Sequence, residues 1–353
     1  MSKPSASPRT EVRRKPQRAH HDTATVHAII DQALVCQIAF NQGGSVHCLP
    51  TACWREGEHL YIHGANNSRL TQTLLEEECA VSITHLDGLV LARSAYHHSM
   101  NYRSAAIFGR LREVDTDAEK RAALDAIVNH ALPGRSDECR PASEAELRVT
   151  RVVALSLAEA SVKIRAAGPI DDDDDLPLPH WAGVLPLVET TLAPQPDSTH
   201  PVGVPTPPPS VVAARLRRAP RLEPFETHPD VTFSGDATRL DLPRLLGWLR
   251  DEAYWAADLT AETLVRAVVG SFTMAAYTKD GEMIAFGRVV TDGATFAWLA
   301  DVFVHRDQRG RGISKVLVKN LVDHPQLAGL RRVMLGTRDA HGLYTPMGFE
   351  MVP

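Results

Sequence analysis

The 353-residue chain lacks most of the features that reveal a function outright. Its five cysteines (Cys36, Cys48, Cys53, Cys79 and Cys139) are odd in number and form no C-x-x-C pair. That spacing argues against a disulfide framework or a cysteine zinc site and leaves buried free thiols as the expectation. Long apolar runs are missing too. Stretches such as 89–92 and 302–304 fall far short of the ~20 residues a membrane helix requires. The first residues carry charges and prolines with no apolar segment behind them, so they do not read as a secretory leader, and a cytoplasmic location is expected. Charge of one sign is also scarce. A net charge of -5 spread along the chain provides no broad basic face, and nucleic acid is not a favoured partner.

What is present describes a globular protein of two domains. Apolar residues make up 44% and charged residues 23% of the chain, and its length exceeds what one hydrophobic core usually serves. Residues 1–22 carry Arg13, Arg14, Lys15 and Arg18 and are expected to be a disordered basic tail. Residues 191–220 hold Pro194, Pro196, Pro201, Pro205, Pro207, Pro208, Pro209 and Pro220 and no apolar period, which predicts a stiff linker. It separates a domain over 23–190 from one over 221–353. The acidic run 171–175 just before it offers carboxylates without interleaved ligands, so a solvated loop is favoured over a metal site. No metal is expected at His97 and His98 either, because neighbours on a strand point to opposite faces.

In the first domain the pattern predicts strands at 34–40, 46–54, 59–63, 80–84, 88–94, 104–114 and 149–156, punctuated by Gly43-Gly44 and Glu56-Gly57, with helices at 67–77, 117–131 and around Glu144. A small antiparallel barrel decorated by helices follows. The second domain predicts a strand near Val231, helices at 242–253 and 261–268, and strands at 272–277, 283–290 and 296–304, hence a mixed α/β sheet.

The most specific stretch is Arg309-Gly310-Arg311-Gly312-Ile313-Ser314, set between an apolar strand and a helix whose Ile313, Val316, Leu317 and Leu321 share one face. Glycines let successive amides point inward, and a helix N-terminus adds free N–H donors and the positive end of a dipole. The loop therefore suits a diphosphate, with Arg309, Arg311 and Lys315 adding charge. Asp301 is the one acid in the preceding strand and a candidate to take a proton from an attacking amine. Tyr254 and Trp255 are candidates to line the acceptor pocket.

This segment resembles motif A of the GNAT acetyltransferase superfamily, with Arg309, Gly312 and then Ser314 where the pattern has glycine or alanine. Leu343-Tyr344-Thr345-Pro346-Met347-Gly348-Phe349 is similar to the family's late motif, and the likeness spans about residues 230–353. The resemblance implies a mixed sheet with helices on both faces and acetyl-CoA as cosubstrate, with a small-molecule or peptide amine as acceptor. It implies a bulged strand at Val302, Phe303 and Val304 that pairs with pantetheine amides. The amides of 309–314 would hold the pyrophosphate, and Tyr344 would protonate the departing thiolate. The chain stops four residues after Phe349, so a short final strand is expected.

In the first domain, Ser68 and Arg69 open a helix just after a strand ending at His63-Gly64, an arrangement that serves either capping or phosphate binding. Residues 26–187 resemble the FMN-binding split barrel of the pyridoxamine 5'-phosphate oxidase superfamily, in its nitroimidazole-resistance and flavin-nucleotide-binding branch. VLARSAYHHSMNYRS, residues 90–104, is the most specific piece. The likeness implies FMN held by Ser68 and Arg69 at its phosphate, by Pro50, Thr51 and His63 along its ring, and by Arg103 and Ser104. It also implies a homodimer through the barrel and a flavin reductase or a flavin store. Haem is the rival cofactor, and the pyridoxal-phosphate signature of the true oxidase is missing. Two further readings stay open: a barrel that serves only as a flavin-binding or dimerisation module, and a transferase domain that acts as a CoA-binding sensor.

Overall fold

The computed structural model describes residues 7–197 and 207–351. Contacts divide the chain into two units, Met1–Glu189 and Thr190–Pro353.

The first unit is built from β1 (Ala19–His20), α1 (Thr23–Ile30), β2 (Val35–Gln42), β3 (Ser45–Ala52), β4 (Trp54–Glu56), β5 (His59–Ala65), α2 (Arg69–Glu76), β6 (Cys79–Leu91), β7 (Ser99–Gly109), β8 (Arg112–Glu113), α3 (Asp117–Ala131), α4 (Glu144–Val149), β9 (Thr150–Ser156), β10 (Ala160–Arg165) and β11 (Gly183–Pro186). Two antiparallel sheets result, one ordered β1-β10-β7-β6-β2-β3 and the other β4-β5-β9-β8. Alternation puts Cys36, Ile38 and Phe40 of β2, Val81 and Ile83 of β6, and Leu60 and Ile62 of β5 into one shared core. The two predicted strands 80–84 and 88–94 are a single strand, β6, with a register shift between Leu86 and Gly88. Its first part pairs with β2 and its last with β11.

The N-terminal expectation changes. Residues 7–22 are not a free tail: β1 pairs with β10, Arg9 pairs with Glu78 and Glu159, and Thr10 is buried. Acidic partners on the barrel take up Arg9, and Arg13 pairs with Glu11 within the segment itself. Of the five cysteines, Cys36, Cys53 and Cys79 are buried free thiols and Cys48 and Cys139 are exposed ones.

The second unit comprises α5 (Pro209–Leu216), β12 (Thr232–Ser234), α6 (Leu242–Glu252), α7 (Ala261–Val269), β13 (Phe272–Tyr277), β14 (Met283–Thr291), β15 (Phe296–Val304), α8 (Ile313–Val322), β16 (Arg332–Met334) and α9 (His341–Tyr344). Its sheet runs β12-β13-β14-β15-β16, antiparallel except for the last pair, which is parallel. Helix α8 covers one face through Ile313, Leu317, Val318 and Leu321, while α6 and α7 cover the other through Leu245, Leu249, Leu264 and Val268. The fully buried Asn320 fixes the segment before β12 to α8. Its Oδ1 accepts from the amides of Phe225 and Glu226 at 2.8 and 2.9 Å, and its Nδ2 donates to the carbonyls of Glu226 and Val316. The proline-rich stretch ends in a helix, since Pro208 and Pro209 occupy the N-cap and first turn of α5, where a missing N–H leaves no bond unmade.

Backbone crowding marks the point where this unit is least tolerant. A Cβ on Gly235 would stand 2.1 Å from the carbonyl oxygen of Leu222. Gly235→Ala is expected to destabilise the protein by about 1–3 kcal/mol in urea unfolding. Gly247→Ala, inside α6 with nothing within 4 Å of the new methyl, should stabilise it. Equal midpoints for the two variants would contradict this packing.

Candidate functional site

In the second unit the chemistry-bearing residues lie where β15 leaves its neighbour. Strand β16 pairs with β15 only from Phe296 to Trp298, and from Leu299 onward that edge has no strand partner among the described residues. On the other edge the β14 register shifts between Phe286 and Arg288. Phe303 faces Phe286 and Ala300 faces Arg288, so Asp301 and Val302 together oppose Gly287 in a bulge. Asp301 has φ 51, a left-handed conformation rare for a residue with a side chain. Its Oδ2 accepts from Arg288 Nε at 2.6 Å and its Oδ1 from Trp255 Nε1 at 3.1 Å. Arg288 is the residue that sequence reasoning missed. A single basic position in an otherwise apolar strand was the available signal, but the partnership depends on bulge register.

The loop after β15 is shaped by Gly310 at φ 78 and Gly312 at φ 81. Intrachain bonding resumes when Lys315 and Val316 donate to the Gly312 carbonyl. Within the described residues the amides of Gly310, Arg311, Gly312, Ile313 and Ser314 donate to no protein acceptor. Five successive free donors at the start of a ten-residue helix fit a diphosphate. The loop is braced from outside itself. Arg309 Nε donates to the Val304 carbonyl at 2.9 Å, Arg311 Nη2 to Asp230 at 2.9 Å, and the Arg311 carbonyl contacts His228 Nε2 at 2.9 Å. Lys315 is exposed and forms no ion pair within the described residues, so its charge stays available.

Tyr344 is 8% exposed and its ring meets Phe349 edge-on. Burial pushes the phenol up to about 12, with smaller contributions from Tyr254 and Asp339. It therefore stays protonated at neutral pH. No strand follows β16 among the described residues.

In the first unit, Ser68 caps α2 in an extended conformation without a side-chain cap bond, and the first helical bond is made by Gln72 N to the Ser68 carbonyl. The amides of Arg69, Leu70 and Thr71 and the exposed Arg69 guanidinium have no protein partner within the described residues. Gly64 makes room for this cradle, since a Cβ there would stand 3.0 Å from Thr71 Cγ2. Those donors fit a phosphate. Pro50 and Thr51 lie on the edge strand β3, opposite Gln37 and Cys36.

The structure does not gather all the expected residues. His63 sits on the opposite face of β5 from Gly64, beside the fully buried Trp54 with ring centroids 5.9 Å apart. Both His63 Nδ1 and Trp54 Nε1 are buried without a hydrogen-bond partner. Arg103 is committed elsewhere: its Nε and Nη2 bind Asp87, and its Nη1 binds Gln32 at 2.6 Å. Ser104 Oγ donates to the Lys163 carbonyl. The acidic run is not simply solvated. The Asp171 side chain is 1% exposed and accepts from Arg93 N and Nη1, and His97, Asp172 and Asp175 stand with ligand atoms within 4.8 Å of one another.

The comparisons with known proteins agree with this layout. The sequence model of the pyridoxamine 5'-phosphate oxidase family matches residues 22–164, and that of the acetyltransferase (GNAT) family matches residues 239–349. A Gibberella zeae protein named provisionally as an acetyltransferase is 30% identical over 140 residues, covering 33% of this chain and 77% of that protein. The Azotobacter vinelandii flavocytochrome Anf3 is 37% identical with a TM-score of 0.56, covering 57% of this chain and 95% of its own. The chain belongs to both families. A Mycobacterium smegmatis protein described as binding FAD and haem is 34% identical with a TM-score of 0.54, over 56% of this chain and 97% of its own. The first unit is thus a split barrel and the second a GNAT acyltransferase domain. No helix among the described residues is long and apolar enough to cross a membrane.

The split barrel carries a built-in acid sensitivity. Burial lowers the His63 pKa below its ordinary value of 6.5. As pH falls past that value the unfolded chain takes up a proton that the folded site resists, so stability present above it is lost below it. Melting temperature should fall from pH 7.5 to 5.5, and His63→Gln should flatten the dependence. An unaltered slope in the variant would remove His63 as its source.

Proposed function

We propose that the GNAT unit transfers acetyl from acetyl-CoA to an amine and that the split barrel holds a flavin nucleotide. The observation that carries the first part is the run of free amides from Gly310 to Ser314 at the start of α8, directly after a bulged strand with an open edge. Those amides and Lys315 hold the pyrophosphate, while Val302, Phe303 and Val304 on the open strand align the pantetheine arm. The amine nitrogen attacks the thioester carbonyl, the C–S bond breaks as the tetrahedral intermediate collapses, and Tyr344 donates its proton to the leaving sulfur. Asp301 lies on the strand just before the pantetheine residues and accepts the proton that the amine sheds, directly or through water. Its bonds to Arg288 and Trp255 fix the direction of its carboxylate.

The flavin reading rests on the amides of Arg69, Leu70 and Thr71 and the Arg69 guanidinium, which have no protein partner among the described residues. A bound flavin would supply reversible electron transfer, while this chain's residues anchor its phosphate and shape its surroundings. The solved relative that binds FAD and haem favours a dinucleotide flavin over FMN, and together with the flavocytochrome it supports a haem-bearing barrel as the second reading. The exposed edge strand β3, with Val46 79% and Leu49 41% accessible, suits pairing with a second copy of the chain.

Two measurements test these readings. Tyr344→Phe should lower kcat by about 100-fold or more with acetyl-CoA affinity retained, and an unchanged kcat would remove Tyr344 from the mechanism. The purified protein should release a flavin on denaturation, identified as FAD or FMN by chromatography, and Arg69→Ala should lose it. A colourless wild-type protein that neither nucleotide restores would overturn the flavin assignment. Bleaching by NAD(P)H with recovery in air marks a reductase, and a static spectrum marks a store or dimerisation module.

A further inference from the structure

The face of the GNAT sheet beneath α6 and α7 is only partly covered. Directly opposed residues of a sheet share a face, so Trp298, Val290 and Met334 lie side by side, with Arg288 and Ala300 next along. Phe286 and Phe303, further along, are sealed by the helices. Trp298 and Met334 are not, remaining 42% and 39% exposed. The Trp298 indole lies across Gly336, whose Cβ position is 3.6 Å from it.

The loop between α6 and α7 crosses this opening. Trp255 Nε1 donates to Asp301 on β15, and Tyr254 Oη accepts from the Arg338 amide at 2.9 Å beyond β16. The two rings meet edge-on at 4.9 Å, and the Arg338 guanidinium stacks on Tyr254 at 3.8 Å. An aromatic pair is thus tied at one end to the bulged strand and at the other to the segment leading to Tyr344. Tyr254 and Trp255 are nevertheless 44% and 47% exposed. The opening is walled by flat apolar surface and has a carboxylate at its inner end.

We infer that the acceptor is a primary amine carried on a flat aromatic body, with the ring against Trp298, Met334 and Trp255 and the amine beside Asp301. This rests on the acetyltransferase reading of the same unit. Aromatic faces favour offset or edge-on contact with a ring and attract a cationic amine. A polyamine or an aminoglycoside brings several charges to satisfy, whereas Asp301 is already shared with Arg288 and Asp339, the acid that acts on the Tyr344 phenol, follows the Arg338 that stacks on Tyr254. Trp298 is a specificity-determining residue on this account, and Trp255 a positioning residue that orients Asp301 while completing the wall.

The test uses the full-length protein with acetyl-CoA and follows thiol release with tryptamine, 2-phenylethylamine, spermidine, kanamycin and L-lysine. The aromatic amines should have kcat/KM at least tenfold above the others. Trp298→Ala should raise KM for tryptamine about tenfold with kcat little changed, the size expected for a lost aromatic contact of about 1.4 kcal/mol. Trp255→Phe, which keeps the ring and removes the donor, should lower kcat more than it raises KM. Preference for spermidine, kanamycin or lysine, or no aromatic turnover, overturns the acceptor class. Calorimetry with CoA separates the two levels: binding retained leaves the acetyltransferase unit standing without this acceptor, whereas absent binding sinks both.

Discussion

Five backbone amides that find no acceptor among the described residues, held at the start of α8 by two glycines in left-handed conformations, set the terms for the C-terminal unit. An unsatisfied donor at a helix start can be met by a cap, by water or by a ligand, and Gly312 offers no side chain to cap with. A Cβ at position 310 or 312 would meet nothing within 4 Å, so space is not what demands glycine there. The positive φ is, because it turns consecutive N–H groups toward one side. Arg309, Arg311 and His228 brace the loop from its outer side, which leaves the inner side open.

The same logic of free and committed donors separates the elements of the split barrel. Arg69 and Arg103 look alike in sequence, each next to a serine and each near a strand end. Cross-strand register decides between them. Arg103 stands on β7 within reach of Asp87 on the paired strand and is spent there, while Arg69 stands exposed at a helix start and forms no ion pair among the described residues. An arginine already bound through three nitrogens serves architecture, and only one with free donors can meet a phosphate.

Much of this was legible in the sequence, and the losses have identifiable causes. The run 296–304, the loop at 309–314 and the helix after it announce themselves because their signals are local: an apolar strand, paired glycines, a 3.6-residue period. Tyr344 and Phe349 carry a fixed spacing and were legible for the same reason. Asp301 could be named, but not its partners. Whether Arg288 reaches it depends on a bulge that inserts one extra residue, and Trp255 arrives from a distant loop. Composition alone makes residues 7–22 a free tail and 207–216 part of a stiff linker, whereas Glu78 and Glu159 take up Arg9, and Pro208 and Pro209 fit the start of α5. His63 reads as a flavin contact by position along β5. The parity of the strand turns it to the other face, against Trp54.

The central claim, that the amides of 310–314 receive the pyrophosphate of an acyl donor, is most directly tested by hydrogen exchange on the full-length protein with and without CoA. The account predicts slowed exchange confined to the 310–314 amides and the open edge of β15. Slowing elsewhere in the chain with this loop unchanged would contradict it.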